Sequence, residues 1–262
     1  MRNWKRADVG ALRKYFGLAA CYIYNLENFA SMDIQKYFER LNDESQEVFL
    51  RSKSEKETLG AVHHLSSCIH EFSEYISDPQ ERKILETVCV QLESATFNLA
   101  LGLYRQAFSS LRLAFEMGLA TIYFSVHKME LYEWLDGRMD IKWFRLTDEE
   151  SGILSKRFSR AFFPELIDQI DGYREKAIFV YRKLSEYVHG NNETWDSGIK
   201  LAYNDDLFSR YFDYYKRVAD IILFVLICRY TSALSDAARE SLQFVPDEFN
   251  HIPEIRTVFG RP

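Results

Sequence analysis

Prolines occur only at positions 79, 164, 246, 253 and 262 of this chain, and that spacing restricts the fold more than any other feature. Proline breaks or kinks a helix interior because it lacks an N–H donor and its ring clashes with the preceding turn. Residues 80–163 and 165–245 are free of it, and only 11 glycines are spread over 262 residues. Few turn formers over such tracts predict long helices.

The apolar positions agree with that prediction. Leu12, Tyr15, Phe16, Ala19, Ile23 and Leu26 fall at helical spacing. Ser31-Met32-Asp33 offers an N-cap to a second tract through Ile34, Tyr37, Phe38, Leu41 and Val48. A third covers about 55–77, and Asp78-Pro79 ends it while capping the next, about 80–102, with Gly102 at its end. The strongly amphipathic run 104–124 follows, and the simplest layout packs these two helices antiparallel. Residues 128–164 read as shorter pieces, with a helix start expected at Leu146-Thr147-Asp148-Glu149-Glu150. Long helices are expected again over about 165–189, stopped by Gly190-Asn191-Asn192, and over about 204–236. Beyond Pro246 the chain reads as an extended or loosely packed arm. The expected architecture is all-α, with residues 1–75 as an N-terminal helical extension, 76–240 as the main bundle and 241–262 as a tail.

Composition narrows the function. A formal net charge of -6 gives no basic balance suited to duplex nucleic acid. Cys21, Cys68, Cys89 and Cys228 are far apart, form no CxxC pair and read as reduced core residues. The most apolar stretch, Ile221 to Cys228, is far short of the roughly 20 residues that cross a bilayer. No signal-like apolar block follows the charged first ten residues, so the expected setting is the cytoplasm, without a membrane partner. His63 and His70 stand seven apart, about 10 Å along a helix, too far to share a metal. Phosphate-loop, dinucleotide, zincin and hydrolase-elbow motifs are absent from the sequence. No cofactor is expected.

The segment YRKLSEYVHGNN, residues 181–192, carries the most chemistry. Arg182 and His189 are seven apart, which places them at nearly one azimuth, about two turns apart, with Glu186 between them. A core stripe of Tyr173, Ala177, Tyr181, Leu184 and Val188 points roughly 130° away. His189 sits in the last turn, where the helix dipole favours a cation. An imidazole can move a proton and an arginine can grip a phosphate through paired hydrogen bonds. Together they form a minimal metal-free kit for RNA cleavage, in which one group moves the proton of the 2'-hydroxyl or leaving oxygen and the other steadies the phosphorane. The structural alternative pairs Arg182 with Glu186 on a solvated face. On the 104–124 tract, Arg105, Ser109, Arg112 and Glu116 share one polar face, which either supports the Arg182 face, contacts an RNA backbone or is an exposed stripe of ion pairs.

An all-α chain with an Arg, six intervening residues and a His near a helix end resembles the HEPN superfamily. The surrounding LSEYVHG, with the helix SLRLAFE at Ser110 to Glu116 preceding it, is similar to bacterial HEPN-like proteins over about residues 80–240. The resemblance implies a HEPN-like helical bundle and a metal-independent endoribonuclease of toxin or antiphage type. Two protomers would place their motifs in one shared cleft, with Arg182 and His189 catalytic. Lys183, Glu186, Asn191, Arg112 and Glu116 are the supporting or RNA-binding candidates. The implied partners are RNA, tRNA included, a second copy of the chain, and an antitoxin or partner subunit. Catalytic members usually carry Asn, Asp or His after the Arg, where this chain has Lys183. That departure keeps a second expectation open, a non-catalytic HEPN-like module binding a nucleotide or a partner protein.

Overall fold

The computed structural model describes residues 33–189 and 201–260. Among them every regular element is helical: α1 (Ile34–Ser52), α2 (Lys56–Ser73), α3 (Pro79–Ala100), α4 (Tyr104–Val126), α5 (Lys128–Leu135), α6 (Trp143–Leu146), α7 (Lys156–Phe162), α8 (Ile170–His189), α9 (Asp205–Tyr230), α10 (Asp236–Ser241), α11 (Phe244–Glu248) and α12 (Pro253–Val258). The all-α expectation holds. The tract expected over residues 1–30 lies outside the described residues.

Side chains written into the sequence start these helices. Asp33 accepts from the Gln35 N–H at 3.0 Å. Asp78 accepts from Gln80 at 2.9 Å and Glu81 at 3.1 Å, directly before Pro79 in the first turn of α3. Asn204 does the same for Leu207 at 2.9 Å. Each cap satisfies backbone donors that a helix start leaves without partners. Gly102 turns the chain between α3 and α4 at φ +79, in the left-handed region that favours glycine, and the two helices pack as an antiparallel hairpin.

α2, α3, α4 and α9 close a ring, each packed on the next, and α8 lies against both α4 and α9. α1 rests on the α3 end of the hairpin, where Val48 meets Gly102. The centre of the bundle is apolar all round. Ile221 to Cys228 are buried without exception, as is the second half of α4 from Gly118 to Ser125, the pattern of a helix enclosed by protein. Among the described residues no helix is long and apolar enough to cross a membrane. Cys68, Cys89 and Cys228 are buried free thiols, and burial pushes Cys228 up to about 12. Cys21 lies outside the described residues.

Three local expectations are corrected. Asp148 opens a tight turn instead of a helix: its carboxylate takes the Glu150 and Ser151 N–H groups at 3.1 and 2.7 Å, and Gly152 closes back on its carbonyl at 3.0 Å. A Cβ on Gly152 would lie 2.6 Å from Asp148 backbone atoms, so that closure requires glycine; α7 then starts later, capped by Ser155. The last long helix ends at Tyr230, and Ser235 caps a separate α10. The stretch beyond Pro246 is no loose arm, for Phe249, Ile252 and Ile255 are fully buried in the same core as α4 and α9.

Candidate functional site

α8 positions the Arg182 and His189 pair. Its buried residues are Ile170, Tyr173, Ala177, Val180, Leu184 and Tyr187. Val180 and Tyr187 therefore join the stripe, Val188 is exposed and Tyr181 is only half-buried. At 100° per residue this turns the centre of the buried stripe to roughly 170° from Arg182. Arg182 and His189 are both exposed, and neither side chain makes a hydrogen bond, ion pair or ring contact with another of the described residues. The alternative pairing of Arg182 with Glu186 does not form; Glu186 takes Lys183 at 3.0 Å.

Two further arginines come to the end of this helix from distant parts of the chain. Arg105 of α4 donates its Nε–H to the Tyr187 carbonyl at 2.8 Å. Arg210 of α9 donates to the Tyr187 hydroxyl at 3.3 Å. Both are exposed. Arg105 and Arg210 thus meet at Tyr187 on the packed side of α8, while Arg182 and His189 stand on the opposite, exposed side of the helix. Arg105 belongs to the polar face read from the sequence of α4. Arg210 carries no local signal at all, because only the packing of α9 on α8 brings it there.

The rest of that α4 face is a seam. Arg112 donates to the Tyr181 hydroxyl at 2.6 Å and to Glu116 at 3.1 Å, and its guanidinium lies 4.7 Å from the Tyr181 ring centre. Tyr181 stacks on Trp143 of α6 at 3.7 Å, with the planes 4° apart. Burial, followed by the Glu116 carboxylate, raises the Tyr181 hydroxyl above its usual range, so it remains a neutral donor and acceptor. Arg112 and Glu116 are mostly covered and serve by holding α8 to α4, not by facing solvent. Asn191 lies outside the described residues.

A second constellation invites a nucleophile reading. Cys68 Sγ is 3.5 Å from His64 Nε2, which is 3.1 Å from Glu248. Burial, then Glu248 and Glu71, push the thiol up to about 12, and the thiolate is the reactive form. The sulfur also lies 3.9 Å from His64 Nδ1, but a thiol held that high supplies almost no thiolate for a nucleophile to act through. The arrangement ties α11 to α2.

Comparisons with family models, curated proteins and solved structures returned no match. The likeness to HEPN proteins therefore rests on the residues of this chain alone.

Proposed function

We propose that this chain is a metal-independent endoribonuclease of HEPN type, with Arg182 holding the scissile phosphate and His189 transferring a proton. The observation that carries the reading is the exposed face of α8, where an Arg and a His whose side chains have no partners among the described residues stand at nearly one azimuth, two turns apart. Without a metal to activate water, the nucleophile is the RNA's own 2'-hydroxyl. It attacks phosphorus and expels the 5' oxygen, leaving a 2',3'-cyclic phosphate and a 5'-hydroxyl. One proton leaves the nucleophile and one reaches the leaving group, a task for two imidazoles. Each chain supplies one at this site, so a homodimer with both motifs in one cleft fits the chemistry. A cytoplasmic toxin or antiphage role, restrained by an antitoxin or partner subunit, follows from the family likeness.

A non-catalytic module binding a nucleotide or a partner protein is favoured by two observations. Lys183 stands where catalytic members carry a small polar residue or His, and Ile178 and Phe179, one turn before Arg182, are 45% and 48% exposed. The deciding experiment is cleavage of total RNA and tRNA in EDTA by the wild type, Arg182→Ala and His189→Ala. Losses of at least about 10²-fold in both variants, with unchanged folding and cyclic-phosphate products, are expected. No cleavage by the wild type, or equal cleavage by all three, overturns the ribonuclease reading in favour of the binding module.

A further inference from the structure

An apolar hollow lies away from α8, between α1, α2, α3 and α9. It encloses about 300 Å³ and is walled by Phe49, Leu59, Val62, Phe97, Ala100 and Tyr215. Its inner hydroxyls are already committed. Thr96 Oγ1 donates to the Leu92 carbonyl at 3.1 Å and lies 3.1 Å from the Tyr211 hydroxyl, and the Tyr215 hydroxyl is turned toward Ser66. An occupant deep in the hollow would meet carbon on nearly every side and no free polar group, so its body must be apolar.

The mouth is different. Phe97 is 58% exposed there, a large ring in water beside an open cavity. His63 and Glu93 face one another across 4.0 Å. The side chain of Lys53, just past the end of α1, makes no hydrogen bond or ion pair with the described residues, and its ammonium is free to meet an anionic head at the rim.

We infer that this hollow binds a medium-chain carboxylate, its alkyl chain between α1, α2, α3 and α9 and its carboxylate against Lys53. Size sets the chain. A cavity of about 150 Å³ admits benzene, and twice that space holds about eight to ten carbons in a row. α8 contributes no wall to this site, so the inference is independent of the RNA-cleavage reading.

Calorimetric titration of the full chain with hexanoate, octanoate, decanoate and dodecanoate, each below its micelle concentration, tests it. Affinity should rise about fourfold per methylene while the chain fills the cavity, stop rising near ten carbons, and fall for dodecanoate. Lys53→Met, an exposed and fold-neutral change, should weaken octanoate about tenfold and leave octanol unchanged, while Leu59→Trp should block both by filling the space. Absence of saturable binding overturns the site. Affinity that keeps rising through dodecanoate, or survives Leu59→Trp in a folded protein, also overturns it, because it reports adsorption to surface. Equal wild-type affinity for octanol and octanoate overturns the carboxylate assignment.

Discussion

Glu81, in the first turn of α3, is only 3% exposed, and a carboxylate there needs partners. The Tyr230 hydroxyl of α9 donates to it at 2.5 Å, and the Lys128 ammonium of α5 pairs with both it and Asp78. One side chain thus fastens three helices. Glu81→Ala removes the acceptor from a buried hydroxyl and from an ammonium at once, and should cost about 3 kcal/mol. Tyr230→Phe leaves the Glu81–Lys128 pair intact and should cost about 1.5 kcal/mol. Urea denaturation of the two variants and their double mutant should show coupling, the double costing clearly less than the sum. Asp220 behaves oppositely. Burial, partly offset by Lys176 and the Tyr173 hydroxyl 3.3 Å away, raises its carboxyl above the usual range. The folded state therefore keeps this proton to higher pH than the unfolded chain. The stability it contributes is complete below the unfolded value, about pH 4, and is lost as pH rises through the raised folded value. Asp220→Asn keeps a neutral acceptor for Tyr173. It should gain up to about 1 kcal/mol over the wild type at pH 7, limited by partial exposure, and nothing at pH 3.5.

At the scale of helices, the crossing of α4 and α9 depends on Gly118. A Cβ there would come within 2.6 Å of Ile222 Cδ1 and 2.9 Å of Cγ1, and Ile222 is fully buried. Gly118→Ala should cost about 2 kcal/mol despite the better helix propensity of alanine. Ile222→Val, which deletes Cδ1, should recover part of that loss in the double variant, and thermal denaturation of the three proteins measures it. Helix existence is legible in the sequence because caps and period are local: Asp33, Asp78 and Asn204 each bond within three residues of themselves. The site is legible only in part. Spacing alone puts Arg182 and His189 on one face, but the azimuth of the core depends on neighbours that periodicity does not contain. Tyr187 is buried because it stacks on Phe108 at 3.9 Å and meets Arg105, 82 positions away. Arg210 arrives by the same long-range packing, and the Tyr181–Trp143 stack joins residues from separate elements. Asp148 misleads for a related reason, since an Asx turn closed by glycine and a helix N-cap begin with the same side-chain acceptor.

Over the whole molecule, one hydrophobic core runs without a break from Val62 on α2 to Phe259 after α12. Residues 242–259 contribute to it: Leu242, Val245, Phe249 and Ile255 are completely enclosed, and Glu248 reaches His64 on α2. Short helices at a chain end commonly fray independently, yet burial of this depth couples the segment to the bundle. Phe249→Ala removes most of a fully buried ring and should destabilise by about 3–5 kcal/mol. The loss should appear as a shifted midpoint of the main urea transition with its slope unchanged, followed by far-UV circular dichroism and by tryptophan fluorescence. Trp134 and Trp143 lie in the region between α4 and α8, far in sequence from the substituted ring and joined to it through the same core. Coincident shifts in both signals mean that the C-terminal helices and the bundle unfold as one unit. A tail folding on its own would leave the fluorescence midpoint where it stands in the wild type.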